Sequence, residues 1–509
     1  MTAKEKKPAM PRSAWLPFIL VGFVILLVGL RFEWGVHLYH DLNPDDEGLY
    51  LWRGLKWVTT GVKLPRTWGP LYSLWYVLLT RIWLPEHAYY VNLYLTALLP
   101  PLGLALSLRS RTSKFTGSLL AGSGFLFSAI NHSDWRVSHF ALGFIVLAWW
   151  LWPRSEPGPG SWLLQAGFAW FVSYIRPEYA VSALGFVALA TVLLFARSFQ
   201  KKPVPWPLIF ALGGLLLIMV LTHPWHDSQG RFWAAFGQHF AVRWQARTHA
   251  HFNPYHDWPL VLEQAFGPVD SFGEAIQSRP DLIAWFVARN IRSWVKTALV
   301  GLTPYPWRHL WWLLGPLVVV FALGLLVWRP HQALVHPLTL MLALWSLPGL
   351  ASSWVIYPRP HYMVIPLAAF WWWFALHLAE LLRQTDRLAS LLIVSFSLFV
   401  IPRPYMQAQP RPLYETVQEL RHFLPASPDL VAGLLIENHP AQLYLSDRVR
   451  FVSSTSDLSP SEVLVFLYPW PLPKTLEHPP FLRETLKSAR YHPVQLPDGS
   501  QWLVRMSEP

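Results

Sequence analysis

The sequence predicts a mainly α-helical, polytopic membrane protein with about eleven transmembrane helices and a small α/β domain at its C-terminal end. Three observations carry this. Only 14% of the 509 residues are charged while 53% are hydrophobic; a soluble chain carries about a quarter charged residues. Apolar runs approaching the ~20 residues needed to cross hydrocarbon recur as far as residue 402. The 31 Trp and an aromatic content of 16% suit a membrane–water interface. Cysteine is absent, which excludes disulfides, thiolate metal sites and a cysteine nucleophile. The net charge of +12 does not point to nucleic acid, because the basic residues form short clusters between apolar runs.

Candidate spans are 14–31, 89–108, 115–131, 139–153, 162–177, 179–196, 205–222, 310–328, 337–356, 363–382 and 388–402. Lys4, Lys6, Lys7 and Arg12 precede the first, and no small-residue cleavage site follows it, so it reads as an uncleaved span. The basic tail places the N-terminus in the cytoplasm. The linkers 109–114 (RSRTSK), 197–202 (RSFQKK), 329–336 and 383–387 then fall on the same side, and each carries Lys or Arg. The stretch GPLYSLWYVLLTRIWL (69–84) is apolar enough to span, but a span there would put RSRTSK and RSFQKK outside. It is therefore expected as an interfacial helix, with 49–61 a second one.

This topology makes 32–88 and 223–309 external loops, the latter with amphipathic helix such as 281–299. The transmembrane module is 1–402 and the external soluble domain 403–509. In that domain helix-like 412–424 precedes β-like runs at 430–436, 449–453 and 463–468, with a helix-like 439–447 between the first two. It contains no Gly-rich phosphate loop. The expected location is the plasma or inner membrane, with the C-terminal domain external or periplasmic.

Polar residues beside span ends then sort onto the outer face. HDLNPDDEGLYLWRG (40–54) brings Asp41, Asp45, Asp46 and Glu47; NHSDWRVSH (131–139) brings Asp134; SYIRPEY (173–179) brings Arg176 and Glu178; YPRPHY (357–362) brings Arg359, His361 and Tyr362. Ionisable groups near membrane depth cost about 2.5–3.5 kcal/mol each on insertion scales, so they face a cavity or a partner. Transfer from a lipid-linked phosphate suits such a set. A carboxylate is a general base for an incoming hydroxyl or amine, and arginines grip the departing phosphate. No nucleotide site is visible, as expected for a donor delivered by the membrane.

DDEGLY followed by an amphipathic GPLYSLWYVLLTRIWL resembles the first external loop of the GT-C glycosyltransferases, in the branch of protein O-mannosyltransferases and lipid A aminoarabinose transferases. The resemblance extends over roughly 14–400. In that family an Asp-Glu pair just after the first span supplies the catalytic base. Carried over, Asp46 is the base, Glu47 its companion and Tyr50 the matching Tyr; Asp45 takes the role if the register is offset by one. The second-loop acid corresponds to Asp134, with Ser138-His139 as the alternative match. YIRPEY looks like the family's Arg-Pro-Glu (Arg176, Glu178), and RPHYMVIP like its Arg-Tyr…Pro element, with His361 where Arg often stands and Arg359 as the alternative cation. Relatives often carry Lys-Pro ahead of the second interfacial helix; this chain has Trp68, Gly69 and Pro70, with Arg66 nearby. The resemblance implies a polyprenyl-phosphate sugar donor and a glycan, lipid or protein acceptor.

His249, His251, His256 and Asp257 have a spacing that could ligate zinc, but they sit in a Pro-broken loop, and interfacial hydrogen bonding is the reading adopted. No metal and no cofactor is assigned, a divalent cation being the alternative. The Trp runs at 148–150, 311–312 and 371–373 are expected as interface anchors or lipid-facing packing. Three other classes remain open: an O-antigen-ligase-like transferase, a transporter, or a non-catalytic relative. Reporter fusions should read cytoplasmic at Ser110 and external at Pro509. A cytoplasmic C-terminus would overturn the placement of every polar group above.

Overall fold

The computed structural model describes residues 15–38, 40–43, 45–60, 69–133, 136–153, 157–201, 203, 205–222, 228–328, 336–401, 410–423, 432–435, 443–445, 450–452, 463–468, 491–495 and 501–505. Helices dominate. They are α1 (Leu16–Glu33), α2 (Asp46–Thr60), α3 (Pro70–Thr80), α4 (Pro85–Arg109), α5 (Phe115–Phe127) and α6 (Val137–Trp150). Then come α7 (Pro159–Ser173), α8 (Ala180–Phe199), α9 (Trp206–Leu221), α10 (Ser228–Thr248), α11 (Trp258–Phe266) and α12 (Phe272–Ser278). The last are α13 (Pro280–Leu302), α14 (Trp311–Trp328), α15 (Pro337–Val355), α16 (Pro360–Leu381), α17 (Asp386–Ser395) and α18 (Pro412–Phe423).

Six helical stretches are long and apolar enough to cross a membrane: Leu16–Leu38, Pro85–Arg109, Pro177–Phe199, Tyr305–Val327, Pro337–Val355 and Pro360–Leu381. Three shorter apolar helices are α5, α6 and α9. The chain is thus a multi-pass membrane protein. Two expected runs take other forms. The run at 162–177 is α7, which ends at Ser173. The run at 388–402 is α17 continued by a π-helical turn, Phe396–Val400.

The chain divides into two compact units. One comprises Met1–Trp34, Arg66–Pro70 and Leu95–Pro404; the other comprises Gly35–Pro65, Leu71–Tyr94 and Tyr405–Pro509. The compositional boundary at 402/403 falls close to the start of the last segment, but that segment shares its unit with most of the loop after α1.

In the first unit, charged side chains close helix ends. Arg111 of RSRTSK donates to the carbonyls of Trp149 (2.9 Å) and Pro153 (2.7 Å) and to that of Trp152, satisfying the open end of α6. Asp386 accepts the N–H groups of Phe115 (3.3 Å) and Thr116 (3.0 Å) at the start of α5. Arg31 donates to the carbonyls of Ser397 (3.4 Å) and Ile401 (3.2 Å). The Trp runs correct an expectation. Trp149 and Trp372 are fully buried and meet edge to face at 6.2 Å, and Trp371 is buried too. The Trp372 indole donates to Ser107 Oγ at 2.8 Å. Only Trp150 and Trp312 of these runs are exposed. The segment α10–α13 has an aromatic core of Phe236, Phe240, Phe266 and Phe286. Phe232, Phe236 and Phe240 recur every four residues along one face of α10.

In the second unit, β1 (Ala432–Leu435), β2 (Arg450–Val452), β3 (Val463–Tyr468), β4 (Tyr491–Gln495) and β5 (Gln501–Arg505) form one sheet in the order β2-β1-β3-β5-β4. β1 is parallel to β2 and β3, while β5 runs antiparallel to β3 and β4. The helix-like stretch expected at 439–447 lies largely outside the described residues; within it Leu443 and Tyr444 are in a 3₁₀ turn. The loop after α1 is stitched to the C-terminal segment by polar contacts. Asp41 accepts the N–H groups of Leu413 (2.9 Å) and Tyr414 (2.8 Å), capping α18 from outside its own sequence. Glu86, on α4, pairs with Arg421 at 2.8 Å with both side chains buried. Arg421 also donates to the Tyr444 carbonyl (2.8 Å), and the Tyr444 hydroxyl to the Asn43 carbonyl (2.6 Å). Asp41→Ala should therefore destabilise α18 by about 1 kcal/mol. Limited proteolysis of the purified protein should then cut the 405–430 segment faster, and an unchanged cleavage rate would rule out the capping role.

Candidate active site

The acidic stretch begins a helix. Asp45 is exposed; its N–H donates to Asn43 Oδ1 (2.9 Å) and its carbonyl accepts from Leu49 (3.1 Å), which makes it the lead-in to α2. Asp46 and Glu47 occupy the first turn, where carboxylates oppose the positive end of the helix dipole. Their surroundings differ sharply.

Glu47 is completely buried. Its Oε1 accepts from the Tyr72 hydroxyl, from the Tyr76 hydroxyl (2.5 Å) and from Asn92 Nδ2 (3.0 Å). Tyr72, Trp75 and Tyr76 stand three and four residues apart, on one face of α3. The Trp75 indole fixes the Asn92 amide by donating to its Oδ1 at 2.8 Å. Burial first, and then the Glu47 charge, push both phenols well above the usual tyrosine range. They stay protonated and act as donors. Tyr50 is buried against Tyr72, edge to face at 5.1 Å. Close approach of α2 and α3 depends on Gly54, where a Cβ would lie 2.5 Å from the Ser73 carbonyl oxygen. Gly48 is similarly confined, 2.6 Å from the Asn43 carbonyl oxygen.

Asp46 is partly buried, and among the described residues no hydrogen bond or ion pair engages its carboxylate. Asp41 belongs to the α18 cap. The opening acids therefore divide into a helix cap, a lead-in residue, an anchor and one uncommitted carboxylate.

In the other unit Arg176, Glu178 and Tyr362 come together. Arg176 Nε donates to Glu178 Oε1 at 2.7 Å, its Nη2 approaches the same oxygen, and the guanidinium lies over the Tyr362 ring at 4.8 Å. His361 is buried, its ring 4.3 Å from that of Tyr362. Arg359 stands near His239, whose pKa is pushed down to about 3 by burial and then by Arg359 and Arg243. His239 is thus a neutral imidazole at ordinary pH, stacked on Tyr357 at 5.1 Å.

Asp134 lies outside the described residues. Its neighbours enclose a carboxylate that sequence reasoning passed over. Glu33, at the end of α1, is buried with His132 Nε2 3.7 Å away. His132 packs between Phe32 (5.2 Å) and Tyr305 (4.6 Å), and Arg136 donates to the Asn131 carbonyl at 2.5 Å. A lone acid ending an apolar run was the available signal. Among the described residues no three His, Cys, Asp or Glu side chains group as metal ligands. In the histidine-rich loop, Asp257 instead accepts the Asn253 N–H at 2.8 Å.

Removing the anchor should cost stability, and removing the unengaged acid should not. Glu47→Ala leaves buried donors without an acceptor, at about 1–3 kcal/mol each, and should lower the melting temperature in detergent markedly. Asp46→Asn should stay within about 0.5 kcal/mol of wild type. Equal melting temperatures for wild type and Glu47→Ala would show that the buried network does not hold α2.

No family model matches the chain, and no curated protein matches it. Among solved structures, the chain is similar to the crystal structure of ArnT from Cupriavidus metallidurans bound to undecaprenyl phosphate, with 10% identity and a TM-score of 0.39, over 98% of this chain and 99% of that one. It is also similar to ArnT from the same organism in the apo state, with 12% identity and a TM-score of 0.37, over 97% of this chain and 98% of that one. The structural similarity to ArnT thus runs over nearly the full length of the chain.

Proposed function

We propose that the protein is an integral-membrane glycosyltransferase that moves a sugar from a polyprenyl-phosphate donor to an acceptor on the external face of the membrane, with a GT-C architecture of about eleven spans and an external C-terminal α/β domain. Asp46 is the general base that takes the proton from the acceptor hydroxyl or amine. Glu47 holds the first turn of α2. Tyr50 packs behind it, and Asp45 borders the acceptor's approach. Arg176 and Arg359 bind the donor phosphate, Glu178 and Tyr362 orient Arg176, and His361 and Asp134 complete the polar lining. No cofactor is assigned.

One observation carries the reading: a partly buried carboxylate that no neighbour among the described residues engages, beside a carboxylate tied down by three donors. A buried structural acid needs a partner, whereas a base must be free to meet a substrate. The resemblance of DDEGLY and its following amphipathic helix to the GT-C loop supports the same residue from the sequence side.

The test is release of polyprenyl phosphate in native membranes. A positioned general base contributes about 10²–10⁴-fold, so Asp46→Asn should lose at least that much turnover at normal expression, while Asp45→Asn loses far less. If Asp45→Asn is inactive and Asp46→Asn active, the base is one residue upstream. If both turn over normally, the glycosyltransferase reading fails.

A further inference from the structure

On α13, Asn290, Trp294, Ala298 and Leu302 recur every four residues and form one stripe. Trp294, Ala298 and Leu302 line a cleft of about 560 Å³ shared with α14, α15 and α16. Among the described residues its walls are apolar or aromatic apart from Thr339 and Ser346, with no charged residue in the lining. Only 17% of the neighbouring α14 span is buried, and Val320, Phe321 and Leu323 are exposed along it, so this side of the bundle faces hydrocarbon. The volume falls within the ~300–1,000 Å³ of sites that enclose a drug-sized molecule. One fatty acyl chain fits it; a long polyprenyl tail exceeds it.

One helical turn beyond Trp294, at Asn290, the stripe becomes polar. The Asn290 amide donates to the carbonyls of Trp354 (3.0 Å) and Ile356 (3.3 Å), and Trp354 itself lines the cleft. Asn290 Oδ1 accepts from Arg243 Nε at 3.4 Å, and Ser293 Oγ accepts from Arg243 Nη2 at 2.6 Å. The guanidinium lies over the Tyr357 ring at 4.7 Å. All these partners are neutral, and among the described residues no carboxylate pairs with Arg243. Arg359 adds a second positive charge within range of His239, which has no charge to offer in return. A partly buried arginine at the end of a hydrocarbon-lined slot, bonded among the described residues to neutral groups, is complementary to an anion carried on an apolar chain.

We propose that this cleft and Arg243 bind one anionic glycerophospholipid of the bilayer, with an acyl chain between α13, α14, α15 and α16 and the phosphate on the Arg243 guanidinium. The site is separate from the acid-base chemistry assigned to Asp46 and stands whether or not the glycosyltransferase reading holds. It uses the Arg243 N–H groups that the bonds of Nε to Asn290 and Nη2 to Ser293 do not take up.

The full-length protein in neutral detergent is titrated with phosphatidylglycerol, diacylglycerol or polyprenyl phosphate and read by native mass spectrometry. Wild type should retain one phosphatidylglycerol about ten- to a hundred-fold more tightly than diacylglycerol, which has the acyl chains without the phosphate, the range expected for a hydrogen bond to a charged group. Arg243→Gln should abolish that preference and leave diacylglycerol binding unchanged. Arg243→Lys should keep part of it, which covers a poorly folding Gln variant. Ala343→Phe, which fills the cleft, should weaken both lipids. Equal retention of the two lipids by wild type, or an undiminished preference in both Arg243 variants, would overturn the site. Displacement of phosphatidylglycerol by an equimolar amount of polyprenyl phosphate would overturn the occupant.

Discussion

The Glu47 carboxylate is the group on which the placement of the α2–α4 segment depends. An ionised carboxylate with no contact to water carries a penalty of several kcal/mol unless its lone pairs are met. Here three donors converge on one oxygen, two from α3 and one from α4. Each such bond to a charged acceptor contributes about 1.5–3 kcal/mol, so the network offsets the burial only when all three are in place. Helices α2, α3 and α4 are thereby fixed to one another by a requirement that none can meet alone. Asp46 precedes Glu47 by one residue, a rotation of about 100° on the helix. Anchoring one carboxylate therefore sets the direction of the other.

The same economy runs through the chain, which has 29 acidic residues against 41 Lys and Arg. Asp41 and Asp386 cap helix N-termini that are not their own, while Arg31 and Arg111 take up backbone carbonyls. Glu86 and Glu178 are matched by arginines. In low-dielectric surroundings unmet backbone groups and charges are both expensive, and each of these side chains resolves one of them. Among the described residues, other acids without a partner, such as Glu263, Glu380, Glu415 and Glu419, are exposed, whereas Asp46 at the first turn of α2 is partly buried.

Much of this was legible from sequence because hydrocarbon imposes length and charge rules. The long apolar helices, the helix at 70–80 and the helix at 412–423 stand close to where hydropathy and amphipathicity put them. So do the strands at 432–435, 450–452 and 463–468. The hairpin strands YHPVQ and QWLVR were missed, although LPDGS between them holds an Asp-Gly pair; Pro493 interrupts the alternation that marks a strand. The Trp runs misled because lipid and bundle interior are equally apolar, so composition cannot say which way an indole points. The partners of Glu47 were invisible for another reason. Spacing puts Tyr72 and Tyr76 on one face of α3 but does not name the helix that face meets.

The arginines of the larger unit differ in a way that bears on what each can hold. Arg176 is already matched by Glu178 and stacked on Tyr362. An anion arriving there competes with a carboxylate for the same donors, so its binding is weakened and its release eased. That suits a phosphate that must leave after each turnover, as the proposed donor does. Among the described residues, Arg243 meets an amide, a hydroxyl and an aromatic face. An anion there competes with no carboxylate of the described residues, and the neighbouring His239, a buried imidazole held near pKa 3, carries no charge. Such a site retains its ligand. The presence or absence of one carboxylate beside the guanidinium thus separates an arginine suited to exchange from one suited to a resident lipid.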